Sequence, residues 1–176
     1  TSMSRGLGDV YKRQPLSRAV AISVPFMLDA AAERLEGGVS RLYQRHLVNS
    51  LRDAYRRKFA RMPSPLDIDL KELRTFRLFD DQVTAPLHGF QGVDHYYESC
   101  SSRQFIPHIR VPTLILHARD DPFMFADTAP GADELPEQVW LELSAGGGHV
   151  GFIAGNLPGR AIYYAEQRVA EWLTGR

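Results

Sequence analysis

The sequence predicts an α/β fold, and two observations support that prediction: three short apolar runs, and the amphipathic segments that separate them. The runs are residues 19–24, 113–118 and 139–143. Each is rich in β-branched or other aliphatic residues and has the length of a strand buried on both faces of a sheet. Strands that alternate with helices along a chain pair in parallel through right-handed crossovers. We therefore expect a parallel sheet flanked by helices.

Prolines mark the limits of the first two predicted strands, and a charged residue indicates where the third lies in the sheet. Pro25 ends the first run, and Val111 and Pro112 introduce the second. The third run contains one charged residue, Glu142, which indicates a position nearer the edge of the sheet.

The longest helical signal lies between the first two strands. Across residues 39–61, apolar side chains recur at three- and four-residue steps, which is typical of one amphipathic helix, and Pro63 and Pro65 end it. The helical material at about 26–100 is an insertion that we interpret as a lid, which would shape a substrate pocket and exclude water. The alternative is that these helices only cover the sheet.

Further segments complete the secondary-structure prediction. An amphipathic pattern near the C-terminus predicts a closing helix. The segments are helices at 70–83 and 93–101, a stretch at 103–109 that leads into the second strand, and the closing helix at 161–173.

Composition and charge exclude several partner classes. Apolar residues make up 44% of the chain, and 21 basic residues balance 21 acidic ones. This balance gives no electrostatic reason to expect nucleic acid as a partner. No apolar run is long enough to span a bilayer, so no integral membrane association is expected. The single cysteine, Cys100, excludes an internal disulfide, and a reducing cytoplasm is the expected compartment.

Five basic residues follow one another closely in the long predicted helix. They are expected to form a solvated face rather than a nucleic-acid patch, because no aromatic platform accompanies them. They are Arg52, Arg56, Arg57, Lys58 and Arg61.

Two loops near the C-terminal end hold the residues best suited to catalysis. Asp120 and Asp121 follow the second predicted strand, and His149 follows the third within a glycine-rich turn. An acid that orients an imidazole makes up two of the three members of a nucleophilic hydrolase site. Three glycines before His149 relax the backbone, so that the ring can turn back over the strand ends.

Asp121 is the expected acid and Asp120 is the alternative. Pro122 biases Asp121 towards an extended conformation that could aim its carboxylate at the site. The other role for Asp120 is that of a solvent-facing or loop-capping carboxylate. The chosen acid would hydrogen-bond one nitrogen of His149, fix its tautomer and stabilise the imidazolium.

The other polar candidates have weaker contexts, and no metal site and no cofactor are expected. The Asp80-Asp81 pair lacks the further ligands that a metal needs, and Cys100 is expected to be a small buried side chain. Gly146 to Gly148 lack the spacing of a phosphate-binding loop. The remaining histidines are assigned no chemistry: His46, His88, His95, His108 and His117, the last of which lies within a strand.

The third member of a hydrolase triad, a serine in a G-x-S-x-G turn, occurs nowhere in the sequence. We interpret residues 15–176 as the C-terminal part of a hydrolase domain whose N-terminal strands and nucleophile turn are missing. Residues 4–14 resemble the in-frame translation of a transposase sequencing adapter, whose mosaic end encodes Asp-Val-Tyr-Lys-Arg-Gln. Residues 1–14 are therefore expected to be an artefactual or disordered tail.

Three segments resemble the YheT family of candidate esterases in the α/β-hydrolase superfamily. They are the segments 23–30, 117–124 and 147–153, and the similarity extends through the helical insertion to cover essentially everything after residue 14. The resemblance implies a Ser-Asp-His hydrolase of carboxylic esters. Asp121 and His149 would be its acid and base.

Three functional hypotheses follow. The first is a serine esterase or lipase-like hydrolase acting on a small-molecule ester, lipid-like esters included, with this chain inactive by itself because it lacks the nucleophile. The second is other triad chemistry on the same fold, such as acyl transfer. The third is a non-catalytic binding module, which predicts that His149 and Asp121 do not meet.

The isolated 176-residue polypeptide is expected to be marginally stable or prone to aggregation. Without earlier strands, the strand at 19–24 has an unprotected edge, and much apolar surface lacks a partner. Expression trials with thermal melting test this prediction. Soluble protein with a cooperative transition would contradict it.

Overall fold

A three-stranded parallel sheet organises the chain in the computed structural model, which describes residues 16–154 and 161–175. The strands are β1 (Ala19–Ile22), β2 (Thr113–Ala118) and β3 (Val139–Ser144), in the order β1-β2-β3. Both neighbouring pairs are parallel. The predicted fold class is therefore confirmed. The predicted tail at 1–14 lies outside the described residues.

The side chains of β2 point alternately into two parts of the core, one on each face of the sheet. Every residue of this central strand is buried. Leu114, Leu116 and Ala118 pack with Phe152 and Ala165 on one face of the sheet. On the other face, Ile115 packs with apolar residues of a second cluster: Phe26, Ile106 and Val139. Because side chains alternate along a strand, a strand buried on both faces is mostly apolar, and in β2 the buried polar exceptions are Thr113 and His117.

The helices between β1 and β2 fill the segment that the sequence marks as an insertion. Most of them are short, and α2 is the longest at 20 residues. The helices are α1 (Leu28–Leu35), α2 (Ser40–Phe59), α3 (Phe76–Phe79), a π-helical turn (Asp80–Thr84), α4 (Ala85–His88), α5 (Val93–Cys100) and a 3-10 helix (Ser102–His108).

The predicted helix at 70–83 begins at the wrong residue. Helix α3 starts after Thr75, whose side chain accepts a hydrogen bond from the Leu78 backbone N–H and so caps the helix. Leu73, in the turn before this cap, is fully buried and anchors the segment in a cluster with Tyr55 and Phe79. The apolar spacing before Thr75 therefore reflects burial of a turn rather than a helical face.

Among the described residues after β2, the chain forms two short 3-10 helices, a small antiparallel pair and a last helix besides β3. The last helix begins later than predicted, because Ile162 pairs with Ala154. These elements are Ala126–Thr128 and Ala132–Glu134 (3-10), β4 (Ile153–Ala154), β5 (Ile162–Tyr163) and α6 (Tyr164–Thr174).

Strand β1 is two residues shorter than the predicted run. Its last residue is Ile22, and Ser23 adopts a left-handed backbone with φ of 52°. The Ser23 N–H still donates to the Leu116 carbonyl at 2.9 Å, so the chain turns away from the sheet directly after this bond. Among the described helices, none combines the length and apolar character that a bilayer crossing requires.

Candidate active site

Asp121 lies just past the end of β2 and is almost fully buried, with 2% of its surface exposed. Its Oδ1 accepts a hydrogen bond from the Phe123 backbone N–H at 2.8 Å. This local bond fixes the carboxylate and satisfies one of its oxygens. A buried carboxylate with one satisfied oxygen needs a further donor for the other.

That donor is the imidazole of His149, in the loop after β3. His149 Nδ1 lies 2.9 Å from Asp121 Oδ2, so two loops that are 28 residues apart in the chain meet. Because a carboxylate only accepts, the proton of the bond belongs to Nδ1, and this leaves Nε2 on the side of the ring away from Asp121. The His149 side chain is 29% exposed, whereas that of Asp121 is 1% exposed. The prediction of the third hypothesis, that these two residues do not meet, is wrong.

Asp120 contacts the backbone of the same loop instead of the imidazole. Its Oδ1 accepts a hydrogen bond from the Gly148 N–H at 2.9 Å, and the residue is exposed. The two adjacent carboxylates therefore hold the histidine loop in different ways. Asp121 orients the ring, and Asp120 fixes the peptide just before it.

Two of the three glycines before His149 have distinct steric roles. A Cβ added at Gly147 would lie 2.7 Å from Cδ1 of Phe152 and 3.2 Å from Cβ of Ala118, so a side chain does not fit there. Gly148 has open space around it, but its φ of +63° disfavours other residues. Close packing requires glycine at Gly147, and the backbone conformation favours it at Gly148. Both positions allow the chain to bend towards Asp121.

The loop after His149 has a strained backbone. Val150 and Phe152 both have positive φ, at 51° and 41°. Such conformations cost on the order of 1–3 kcal/mol each and persist only where the surroundings enforce them. Here Phe152 is buried, and its N–H donates to the Gly147 carbonyl at 2.9 Å.

Ser23 holds the loop from a distant part of the chain, a role that the sequence did not reveal. Its buried Oγ accepts a hydrogen bond from the Val150 N–H at 3.0 Å, across 127 residues. The strained turn at Val150 is therefore tied to the end of β1. Among the described residues, no serine hydroxyl hydrogen-bonds to His149, so Ser23 is a structural group and not a nucleophile in contact with the ring.

Aromatic rings link the imidazole to helix α2. Phe123 lies against His149 with 4.6 Å between ring centroids, and Tyr43 lies edge-on to Phe123 at 5.1 Å. The Ser40 hydroxyl donates to the Pro122 carbonyl at 2.6 Å. The first turn of α2 is thus attached directly to the loop that carries Asp121.

His117 lies within β2, four residues before Asp121, and is buried. Its ring is fully inaccessible and packs edge-on against Phe26 at 5.4 Å, and neither nitrogen has a partner among the described residues. Burial lowers the pKa of His117, and the neighbouring Asp121 carboxylate only partly opposes this effect. The ring is therefore neutral near pH 7, and its role is packing.

The carboxylate pair Asp80-Asp81 is structural. Asp80 accepts hydrogen bonds from the hydroxyls of Thr84 at 2.7 Å and Tyr97 at 2.8 Å, and Asp81 accepts one from the Val93 N–H. Burial raises the pKa of Asp80, and the two hydroxyl bonds oppose that rise. Within residues 16–154 and 161–175, no three His, Cys, Asp or Glu side chains are grouped as a metal would require.

The expectation that Cys100 is buried is wrong. It is the last residue of α5 and is exposed. Its spacing places it on the same helical face as the buried Val93 and Tyr97, but it occupies the end of the helix, where burial does not extend to it.

Comparison with known proteins identifies the class that this fold and site define. A family model of the alpha/beta hydrolase fold matches residues 11–155, and the chain belongs to this family. No solved structure matches the chain significantly.

Within the family, the chain is YheT-like. It is 44% identical over 163 residues to YheT of Escherichia coli K12, whose name designates it a candidate esterase, and the match covers 91% of this chain and 48% of that protein. It is 33% identical to the monoacylglycerol lipase of Saccharomyces cerevisiae, over 85% of this chain and 35% of the lipase. It is 30% identical to the phospholipase ABHD3 of Mus musculus, over 89% of this chain and 39% of that protein. The chain thus spans less than half the length of these relatives.

Gly147→Ala is expected to destabilise the intact protein that contains this chain by about 1–3 kcal/mol, because the new methyl group collides with Phe152. Denaturant unfolding measures the change. Gly151→Ala is the matched control, since its added Cβ meets nothing closer than 3.8 Å. Equal stability of the two variants would show that the close packing at Gly147 is unimportant.

Proposed function

We propose that the protein containing this chain is a serine-type hydrolase of carboxylic esters, with Asp121 as the acid and His149 as the base of its triad. The observation that carries the proposal is the 2.9 Å contact between Asp121 Oδ2 and His149 Nδ1. A buried acid bonded to a partly exposed imidazole is the arrangement that activates a nucleophilic hydroxyl.

The proposed reaction uses the free nitrogen of His149. Nε2 takes the proton of a serine hydroxyl as that oxygen attacks the ester carbonyl carbon, and Asp121 stabilises the imidazolium that forms. His149 then protonates the leaving alcohol, which gives an acyl-enzyme. Water attacks the acyl carbon with His149 again as base, and the carboxylic acid leaves as the serine is restored.

The serine is proposed to be supplied by residues outside this chain, together with the backbone donors that hold the oxyanion. The 176 residues contain no G-x-S-x-G turn, and they span 48% of YheT, 35% of the yeast lipase and 39% of ABHD3. By itself the chain is predicted to be inactive, because removal of the nucleophile abolishes covalent catalysis.

Two features support esters as the substrate class. The relatives are named as a candidate esterase, a lipase of monoacylglycerol and a phospholipase. Exposed apolar side chains lie about one helical turn to either side of Tyr43, which contacts Phe123 beside the imidazole: Val39 just before α2 and Leu47 within it. An apolar surface next to the base suits an acyl chain. We propose that helices α1 to α5 form a lid over this site.

Asp121→Asn in the intact protein is expected to lower kcat for a p-nitrophenyl ester by about 10⁴-fold. Asn can still accept from the Phe123 N–H, but its amide N–H₂ would face Nδ1 and favour the wrong tautomer of His149. Steady-state kinetics measures this loss.

Asp120→Asn is the matched control, since Asp120 bonds to the Gly148 backbone and not to the ring. Asn retains an acceptor there, and kcat is expected to change by less than about tenfold. A larger loss for Asp120→Asn than for Asp121→Asn would reverse the two roles. An intact reading frame without a nucleophile turn would end the esterase proposal.

A further inference from the structure

A cationic cleft of about 480 Å³ lies on the helical segment, away from the Asp121–His149 pair. Its walls come from the end of α1, from one side of α2 and from the turn before α3. The charged side chains that line it are Arg41, Arg45, Arg52, Lys71 and Arg74, with Glu36 as the one carboxylate.

The concentration of positive charge is local. The whole sequence has a formal net charge of zero, so the cleft does not reflect a generally basic protein. Within the described part of the chain, only Arg74 of these five cations forms an ion pair, a long one of 3.4 Å with the exposed Glu72. Like charges placed together repel one another, and an anion between them would remove that repulsion.

Arg52 departs from the solvated face expected from the sequence. Its Nη1 donates to the Asn49 side chain at 3.1 Å, while its Nε is buried and has no hydrogen-bond partner among the described residues. A buried guanidinium nitrogen without an acceptor is costly. Because Nε has no accessible surface of its own, an anion in the cleft would meet this guanidinium, which lines the cleft, at its other nitrogens and would offset its charge.

Buried side chains and hydrogen bonds among three helices hold the floor of the cleft together. Gln44 is buried; its Nε2 donates to the Leu35 carbonyl at 3.2 Å, and its Oε1 accepts from the Phe76 N–H at 3.0 Å. This one side chain joins α1, α2 and α3. Val48 beside it is also buried, and the buried Leu73 fixes the segment between Lys71 and Arg74. These contacts fix the backbone that carries the cationic side chains.

We propose that this cleft binds a phosphate group carried by a larger molecule. Guanidinium groups present paired N–H donors that match the oxygens of a phosphate group. Several cations close together favour an anion with several acceptor oxygens, which a phosphate monoester or diester supplies. The volume exceeds what a lone phosphate fills, so the rest of the ligand would lie along the cleft. The inference concerns binding and does not depend on ester hydrolysis.

Two probes distinguish the two sources of the phosphate group. The intact protein is titrated with inorganic phosphate by calorimetry, with chloride at matched ionic strength as the reference. It is also sedimented with vesicles of phosphatidylcholine containing phosphatidic acid, with pure phosphatidylcholine vesicles as the reference. Binding of free phosphate indicates a soluble phosphate ester, and binding of the acidic vesicles alone indicates a lipid headgroup.

Arg45→Gln is expected to weaken whichever binding is seen about tenfold, which is the usual effect of losing one charge-assisted hydrogen bond. Arg45 is exposed, so the change should leave folding intact, and Arg41→Gln is a second variant of the same kind. Arg57→Gln is the matched control: it removes the same charge from the same helix at an exposed position that does not line the cleft.

Three results would overturn the proposal. The first is the absence of binding to both probes. The second is unchanged binding in both Arg45→Gln and Arg41→Gln. The third is an equal loss in Arg57→Gln, which would mean that diffuse helix charge and not the cleft attracts the anion.

Discussion

The buried carboxylate of Asp121 is the group on which the arrangement of the site depends. A charge with 2% exposure is stable only if its oxygens are satisfied, and here one accepts from the Phe123 backbone and the other bonds to His149. The same side chain therefore shapes its own loop and fixes the orientation of the ring. Removing either partner would leave part of a buried charge uncompensated.

The loop that carries His149 is held by side chains from the ends of two strands, β1 and β2. Asp120 and Asp121 reach it from β2, and Ser23 reaches it from the end of β1. These bonds offset the unfavourable backbone of Val150 and Phe152. Because parallel strands place their carboxyl ends at one edge of a sheet, a loop after β3 can be fixed by residues that are far away in sequence. The sheet is the frame that makes the contact between Asp121 and His149 possible.

The strands and the two loops that bring Asp121 and His149 together could be predicted because their signals are local. An apolar run such as 113–118 shows burial directly, and the carboxylates and the histidine come immediately after such runs. Ser23 could not be predicted, since its bond to Val150 joins positions 127 residues apart. The error at 70–83 has a similar cause: Leu73 is buried by contacts with Tyr55 and Phe79, which mimics a helical pattern. The exposure of Cys100 could not be predicted either, because the tendency of a residue type does not tell which side of a helix end faces water.

Helix α2 touches both regions that carry chemical interest. Tyr43 contacts Phe123, which in turn contacts the imidazole of His149. Arg45 and Arg52 of the same helix line the cationic cleft. A helix of 20 residues is a rigid rod about 30 Å long. An occupant of the cleft that displaced this rod would also shift the aromatic contacts, and thermodynamic linkage makes the effect mutual: any ligand at the imidazole that shifts these contacts would alter the affinity for the anion by the same factor.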